Sequence, residues 1–245
     1  MKGLLAALQF LSILPIDRPF EADDIGRSLV WFPAAGFIIG LCAVMVYGVA
    51  NLIGLPAPVS ALAGVMALAG FSGFFHLDGV ADTADGFFSS RPRDRILEIM
   101  HDSRIGTMGV IGIFTILAFK WAALSSLTPA EEWRVIVLAP IAGRAGQIVS
   151  MNYMPYARSE GGLASVFLAH CSRQTVLIAV FICILAAVLL GGVSGLMAVF
   201  AAGAFGIFFN LRCLRKIGGM TGDTIGAVSE GIETIIMCVM CVGME

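Results

Sequence analysis

An all-α, polytopic membrane helix bundle is the fold class that three observations predict. Hydrophobic residues make up 58% of the 245-residue chain and charged residues only 13%, against about 25% charged in ordinary soluble domains. The mean hydropathy is +0.93. Apolar runs of membrane length recur from end to end. A water-soluble core of this size has no room for so much apolar surface, whereas lipid accepts it. The net charge of −2 gives no basis for nucleic-acid binding. No linker, low-complexity tract or internal repeat divides the chain, so residues 1–245 read as one domain.

The chain opens with Lys2 and an apolar stretch from Gly3 to Leu14. This start is similar to the front of a signal peptide, but it is short and lacks a small-x-small cleavage site before Pro15. It is expected to remain as a short N-terminal interfacial or re-entrant helix. Seven segments of about 17 residues or more then suit a ~30 Å hydrocarbon core. They are Leu29–Ile53, Val59–Leu77, Thr107–Leu127, Trp133–Tyr153, Thr175–Leu190, Val193–Leu211 and Ile225–Met244. Trp31 and Pro33 supply an interfacial anchor and a tolerated early proline for the first. Only Gly191-Gly192 separates the fifth from the sixth, which predicts a tight helical hairpin.

Orientation follows from the positive charges. With the N-terminus in the cytoplasm, segments 1–28, 78–106, 154–174 and 212–224 lie inside and carry twelve of the fifteen Lys and Arg. Lys120 and Arg144 fall within spans, and only Arg134 lies near the outer face. The opposite orientation would invert that bias, so positive-inside reasoning selects this one. The six cysteines read as packing or as reduced inner-face thiols. Cys238 and Cys241 have CxxC spacing but no second pair and no nearby His, a poor zinc site.

Chemistry concentrates at the inner face. The first constellation is His76-Leu-Asp78-Gly-Val-Ala-Asp82-Thr-Ala-Asp85-Gly86, at the inner end of the second span. On a helix, Asp78, Asp82 and Asp85 share an arc of about 60°. Three carboxylates on one stripe repel one another, and each costs up to about 3 kcal/mol to place in a membrane. A divalent cation such as Mg²⁺ compensates for both effects, being hard and oxygen-seeking. Gly79 and Gly86 are expected to leave the stripe open to a bulky phosphate. The plain alternative is a solvated acidic loop with glycine turns.

The second constellation is Gly218-Gly-Met-Thr221-Gly222-Asp223, followed by Gly226, Glu230 and Glu233. Asp223, Glu230 and Glu233 share about 80° of arc, with Glu233 about 15 Å along the axis from Asp223. Glutamates that deep in an apolar helix mark function by default. Thr221 or Asp223 is placed to cap the helix, whose free N–H groups suit phosphate. Here the alternative is that a glutamate pairs with Arg144 or Lys120 inside the bundle.

Basic residues lie between the two. Arg91 and Arg93 read mainly as positive-inside charge, whereas Asp102 and Arg104 stand at a helix start beside the acidic stripe. Arg104, Arg144 and Arg158 are candidate phosphate clamps, since arginine suits bidentate oxyanion recognition. Thr221 and Asp102 join them as candidate substrate contacts. His76 and His170 read as polar interfacial side chains. Carboxylates for metal, arginines for phosphate and an inner-face location together point to metal-assisted phosphoryl transfer.

The same motifs carry a resemblance. His76 to Gly86, Ile99-Met-His-Asp-Ser-Arg-Ile-Gly-Thr107, Met154-Pro-Tyr-Ala-Arg158 and Gly218 to Asp223 with Glu230 and Glu233 resemble the cobalamin synthase family, the adenosylcobinamide-GDP ribazoletransferases. Leu8-Gln-Phe-Leu11 and the Pro33, Gly36, Gly40 pattern fit as well, so the resemblance covers nearly the whole chain. His101 stands where a lysine is expected, and Ile13 where an arginine is expected.

The resemblance implies a Mg²⁺-dependent, multi-pass enzyme of the bacterial inner membrane, its active site facing the cytoplasm. The ribose 3′-hydroxyl of α-ribazole, or of its 5′-phosphate, would attack adenosylcobinamide-GDP and release GMP. That step gives adenosylcobalamin or its 5′-phosphate, completing the cobalamin nucleotide loop. Asp82, Asp78 and Asp85 are the expected catalytic residues. Asp78, Asp82, Asp85, Asp223, Glu230 and Glu233 are the expected metal ligands. The partners are those two substrates and the lipid bilayer, with room for a homo-oligomer.

Two other readings are weighed. The Asp-Gly-x-x-Ala opening is similar to that of CDP-alcohol phosphotransferases, but Asp82 replaces their arginine. A cation-coupled transporter would place its carboxylates near the midplane, whereas most of these lie at the inner face.

Overall fold

The computed structural model describes residues 2–158 and 163–242, and its regular elements are helices. In chain order these are α1 (Lys2–Leu11), α2 (Ala22–Arg27), α3 (Phe32–Leu52), α4 (Ala57–Phe71), α5 (Phe75–Phe88) and α6 (Arg93–Ile99). There follow α7 (Thr107–Ser125), α8 (Pro129–Tyr153), α9 (Leu163–Leu168), α10 (Arg173–Ile217) and α11 (Gly222–Val242). Five of them are long and apolar enough to cross a membrane alone, and six with α4 and α5 taken as one bent span. The predicted end of the last span at Met244 lies outside the described residues.

A straight helix of the 45 residues of α10 would run about 67 Å, twice a hydrocarbon core. Instead the backbone leaves helical geometry at Gly192 (φ 55°, ψ −128°). Gly195 then comes back against the carbonyl of Ala187. α10 is therefore the helical hairpin the glycine pair predicts. Leu189, Val193 and Phe200 on its limbs are each about three-quarters exposed, a surface that lipid covers.

The second predicted span is corrected. Val59–Leu77 is not continuous: α4 stops at Phe71, and α5 leaves at 88° to it. Gly73 and Phe74 take left-handed φ values of 62° and 56°, which helix cannot continue through. The acidic stripe consequently sits on its own short helix and packs across α11, where a straight span would have carried it past. The short α1 behaves as expected. Its ten residues reach only about 15 Å, and Ala6, Ala7, Leu8 and Leu11 bury one face.

α8 is the hub. It packs on α3, α10 and α11, with Val135 to Ala139 at most 1% exposed. Gly36 of α3 lies so close to the Pro140 carbonyl of α8 that a Cβ there would approach it to 2.5 Å. Close backbone approach through small residues is how helices pack where lipid offers no hydrophobic drive.

Candidate active site

Two glycines bring the acidic helices together. Gly79 of α5 rests on the backbone of Asp223, and a Cβ added to Gly226 of α11 would come within 3.2 Å of the His76 Cα. Gly79 and Gly86 were expected to clear space for phosphate. They serve packing instead, Gly79 against α11 and Gly86 against Met100 of the segment after α6. The close crossing sets the N-terminus of α11 beside the α5 stripe. Asp78, Asp85 and Asp223 all stand within electrostatic reach of Asp82, as does Arg158.

Arg158 is held there by backbone. The loop after α8 pairs with the turn before α11, with Ala157 N–H donating to Met220 O at 2.8 Å and Met220 N–H to Pro155 O at 2.9 Å. Arg93 locks both sides of this pairing, since its guanidinium donates to Ile217 O and Ala157 O, each at 2.8 Å. Arg93, read from sequence as inside-facing charge, is thus a structural tie. Arg158 reaches Asp223 at 3.1 Å, and the Thr221 hydroxyl donates to the same carboxylate oxygen at 3.1 Å. Thr221 also caps α11, accepting from Thr224 N–H at 3.3 Å.

A cavity of about 380 Å³ opens beside this cluster, lined by Asp78, Asp223, Arg158, His101 and Tyr156 on its charged side. Burial pushes the Tyr156 hydroxyl up, so it stays protonated and able to donate. His101 and Tyr156 carried no signal by spacing; only the departure from an expected lysine drew attention to His101.

Other predicted residues go elsewhere. Asp85 is turned to α7, accepting from Gly106 N–H at 2.6 Å and Gly109 N–H at 2.8 Å, an anion at a helix N-terminus. Arg104 and Asp102 pair with each other at 2.7 Å on the exposed surface and do not line the cavity. The Arg104 hydrogen bonds hold Asp102 down at about 2. His76, expected at the interface, is 1% exposed in the bundle, whereas the partly exposed His170 pairs with Asp23 at 2.8 Å.

Glu230 and Glu233, expected as metal ligands, are engaged by buried cations instead. Lys120 of α7 bonds Glu230 at 2.6 Å and Glu233 at 2.7 Å, and Arg144 of α8 bonds Glu233 and, at 2.7 Å, the Ser72 hydroxyl. All four charged side chains are at most 4% exposed. The physical reason is desolvation: a buried charge needs an opposite charge at contact, and here each has one. Arg144 is accordingly part of this network and not a clamp at the cavity.

Among the described residues, no group of three or more His, Cys, Asp or Glu is placed to hold a metal by itself. Asp78, Asp82 and Asp223 nonetheless provide hard oxygen donors, with Arg158 as a nearby cation. Such a set fits Mg²⁺, which usually takes one or two carboxylates and completes its shell with substrate phosphates and water.

Comparison with known proteins places these motifs. A family model described as cobalamin-5-phosphate synthase matches residues 3–241. The adenosylcobinamide-GDP ribazoletransferase of Desulforamulus reducens is 35% identical, covering 99% of this chain and 97% of its own. Those of Geotalea daltonii and Klebsiella pneumoniae are each 37% identical over 96% and 97% of this chain, and 94% and 98% of theirs. No solved structure matches.

Proposed function

Because this chain belongs to the cobalamin-5-phosphate synthase family and is a membrane-embedded adenosylcobinamide-GDP ribazoletransferase, we propose that its reaction runs at the Asp78–Asp223–Arg158 side of the cavity. The 3′-hydroxyl of α-ribazole, or of its 5′-phosphate, attacks the cobinamide-side phosphorus. The bond from that phosphorus to the bridging oxygen breaks, and GMP leaves with that oxygen. Asp78 or Asp82 takes the hydroxyl proton. Arg158 uses one N–H on Asp223 and has others for the diphosphate, while Tyr156 and His101 offer further donors. Asp78, Asp82 and Asp223 are the residues that would hold Mg²⁺, and the ion, when bound, would supply charge neutralisation on the phosphates.

The observation that carries this reading is the meeting of α5 and α11 carboxylates with one fixed arginine on one cavity. Purified protein supplied with both substrates should release GMP with Mg²⁺ and stop when EDTA removes it. Undiminished release in EDTA rejects the metal. No GMP release under any divalent cation rejects the reaction.

Arg158→Ala should weaken use of the GDP-linked substrate by about 1.5–3 kcal/mol, the usual value of a charged hydrogen bond, as a raised KM. Arg104→Ala, exposed and outside the cavity lining, should barely change it. Unchanged kinetics in Arg158→Ala would take that side chain out of the site.

We also place the site on the cytoplasmic face of the bacterial inner membrane, from the distribution of Lys and Arg. Ser89→Cys and the exposed Arg215→Cys serve as labelling probes in a cysteine-free background. An impermeant thiol reagent should reach them only from inside, and Ser126→Cys only from outside. The reverse pattern overturns the orientation.

A further inference from the structure

The cavity also has an aromatic lining. Phe10 of α1 packs on Phe167 of α9 at 4.7 Å between ring centroids, on Phe75 of α5 at 5.8 Å and on Phe32 of α3 at 6.2 Å. All four rings line the same space as Asp78, Asp223 and Arg158. Four rings from four separate elements converge without filling the volume between them.

Two polar residues share this lining, Gln147 of α8 and His76 of α5, which are 2% and 1% exposed. Gln147 Nε2 and His76 Nε2 lie 2.9 Å apart. Gln147 Oε1 and His76 Nδ1 have no hydrogen-bond partner among the described residues. Swapping the amide and the tautomer exchanges the roles, but one donor and one acceptor stay unpartnered either way. Buried polar atoms without partners are costly. A pair of them on the wall of an aromatic cavity marks where a ligand makes an in-plane hydrogen bond.

We propose that this aromatic end is the subsite for the flat heterocyclic base of ribazole, with the His76–Gln147 pair bonding its free ring nitrogen. The base then stacks among the phenylalanines, and the sugar points toward Asp78 and Asp223, where its hydroxyl reacts. This assignment rests on the ribazoletransferase reading. Alternative occupants match the wall less well. Guanine carries several polar edge groups that phenylalanines leave unsatisfied, a corrin ring is too broad for this volume, and an acyl chain makes no use of a donor–acceptor pair.

The test uses the full-length protein in nanodiscs, with α-ribazole as the probe. Ala164 lines the cavity from α9, so Ala164→Phe fills it, while Gln147→Leu keeps volume and removes the hydrogen bond. Wild type should bind α-ribazole saturably at equilibrium, without the second substrate. Each variant should weaken that binding about tenfold or more, as sites built to hydrogen-bond one group do when the match is lost. In turnover, the KM for α-ribazole should rise in parallel, and the KM for adenosylcobinamide-GDP should stay within about twofold.

Unchanged α-ribazole binding in Gln147→Leu and Ala164→Phe, or an equal rise in both KM values, overturns the subsite. If either variant loses its monodisperse elution, the other decides. Wild type that binds α-ribazole but releases no GMP counts against the reaction and leaves the subsite standing. Wild type that releases GMP while both variants keep full ribazole affinity counts against the subsite alone.

Discussion

Asp82→Asn and Asp223→Asn should each abolish GMP release while the protein still inserts and elutes normally. The amide keeps the shape of the carboxylate and removes its charge. Asp82 sits centrally on its stripe, within electrostatic reach of Asp78, Asp85 and Asp223. Asp223 stands across from it on α11 with Arg158 attached. On the proposed mechanism, Mg²⁺ and the diphosphate would lose part of the donor set that positions them. Metal stabilisation of a phosphoryl-transfer transition state is worth several kcal/mol, so a rate loss of about a thousandfold, or ~4 kcal/mol, is expected.

For Asp82→Asn stability should move the other way or not at all, because removing one of several crowded carboxylates relieves repulsion, whereas Asp223→Asn also gives up the ion pair with Arg158. Turnover measured beside a thermal melt separates the two effects. Full activity in either amide variant at limiting Mg²⁺ would sink the proposal that α5 and α11 share the metal.

Lys120→Met should have the largest effect on stability. It removes the cation that bonds both Glu230 and Glu233 and leaves Arg144 alone to balance two buried carboxylates. Breaking a buried ion pair from one side typically costs about 3–5 kcal/mol, because the stranded charge stays desolvated. The thermal midpoint in detergent should fall sharply. Adding Glu230→Gln to Lys120→Met should recover much of the loss, since the stranded charge goes with it. Recovered double-variant protein should also release GMP, because Glu230 serves the bundle here and not the metal. A Lys120→Met protein that melts like wild type would show that the network is not needed for stability. A stable double variant without turnover would return Glu230 to the metal site.

Much of the site was legible before any fold was known. The stripe of Asp78, Asp82 and Asp85 follows from helical period alone, and so does the prominence of Asp223 at the start of the last helix. What misled was depth. Glu230 and Glu233 share a face with Asp223 by period, which made one continuous acidic surface look like one metal site. Lys120 and Glu230 stand 110 positions apart in the chain, so their pairing leaves no trace in local spacing. The alternative that a glutamate pairs with Arg144 or Lys120 was available from sequence, and the fold assigns both cations.

Gly73 gave a similar lesson. It interrupts an apolar run long enough to span, and hydropathy averages across it. The backbone does not, because two consecutive left-handed residues turn the chain by 88°. Gly192 acts the same way but was readable, since a second glycine precedes it where the apolar run already exceeds a membrane.

By itself, the sequence determined the all-helical membrane class, the Gly192 hairpin, the two acidic motifs and the family they mark. Each depends on hydropathy or on spacing within a few turns, which are local properties. Only the tertiary structure decided that α5 crosses α11 at Gly79, that Arg93 fixes the loop carrying Arg158, that Lys120 and Arg144 neutralise the deep glutamates, and that four distant phenylalanines face one cavity. Those outcomes depend on which helix faces which, and that is settled by close packing and the pairing of buried charge across the whole chain.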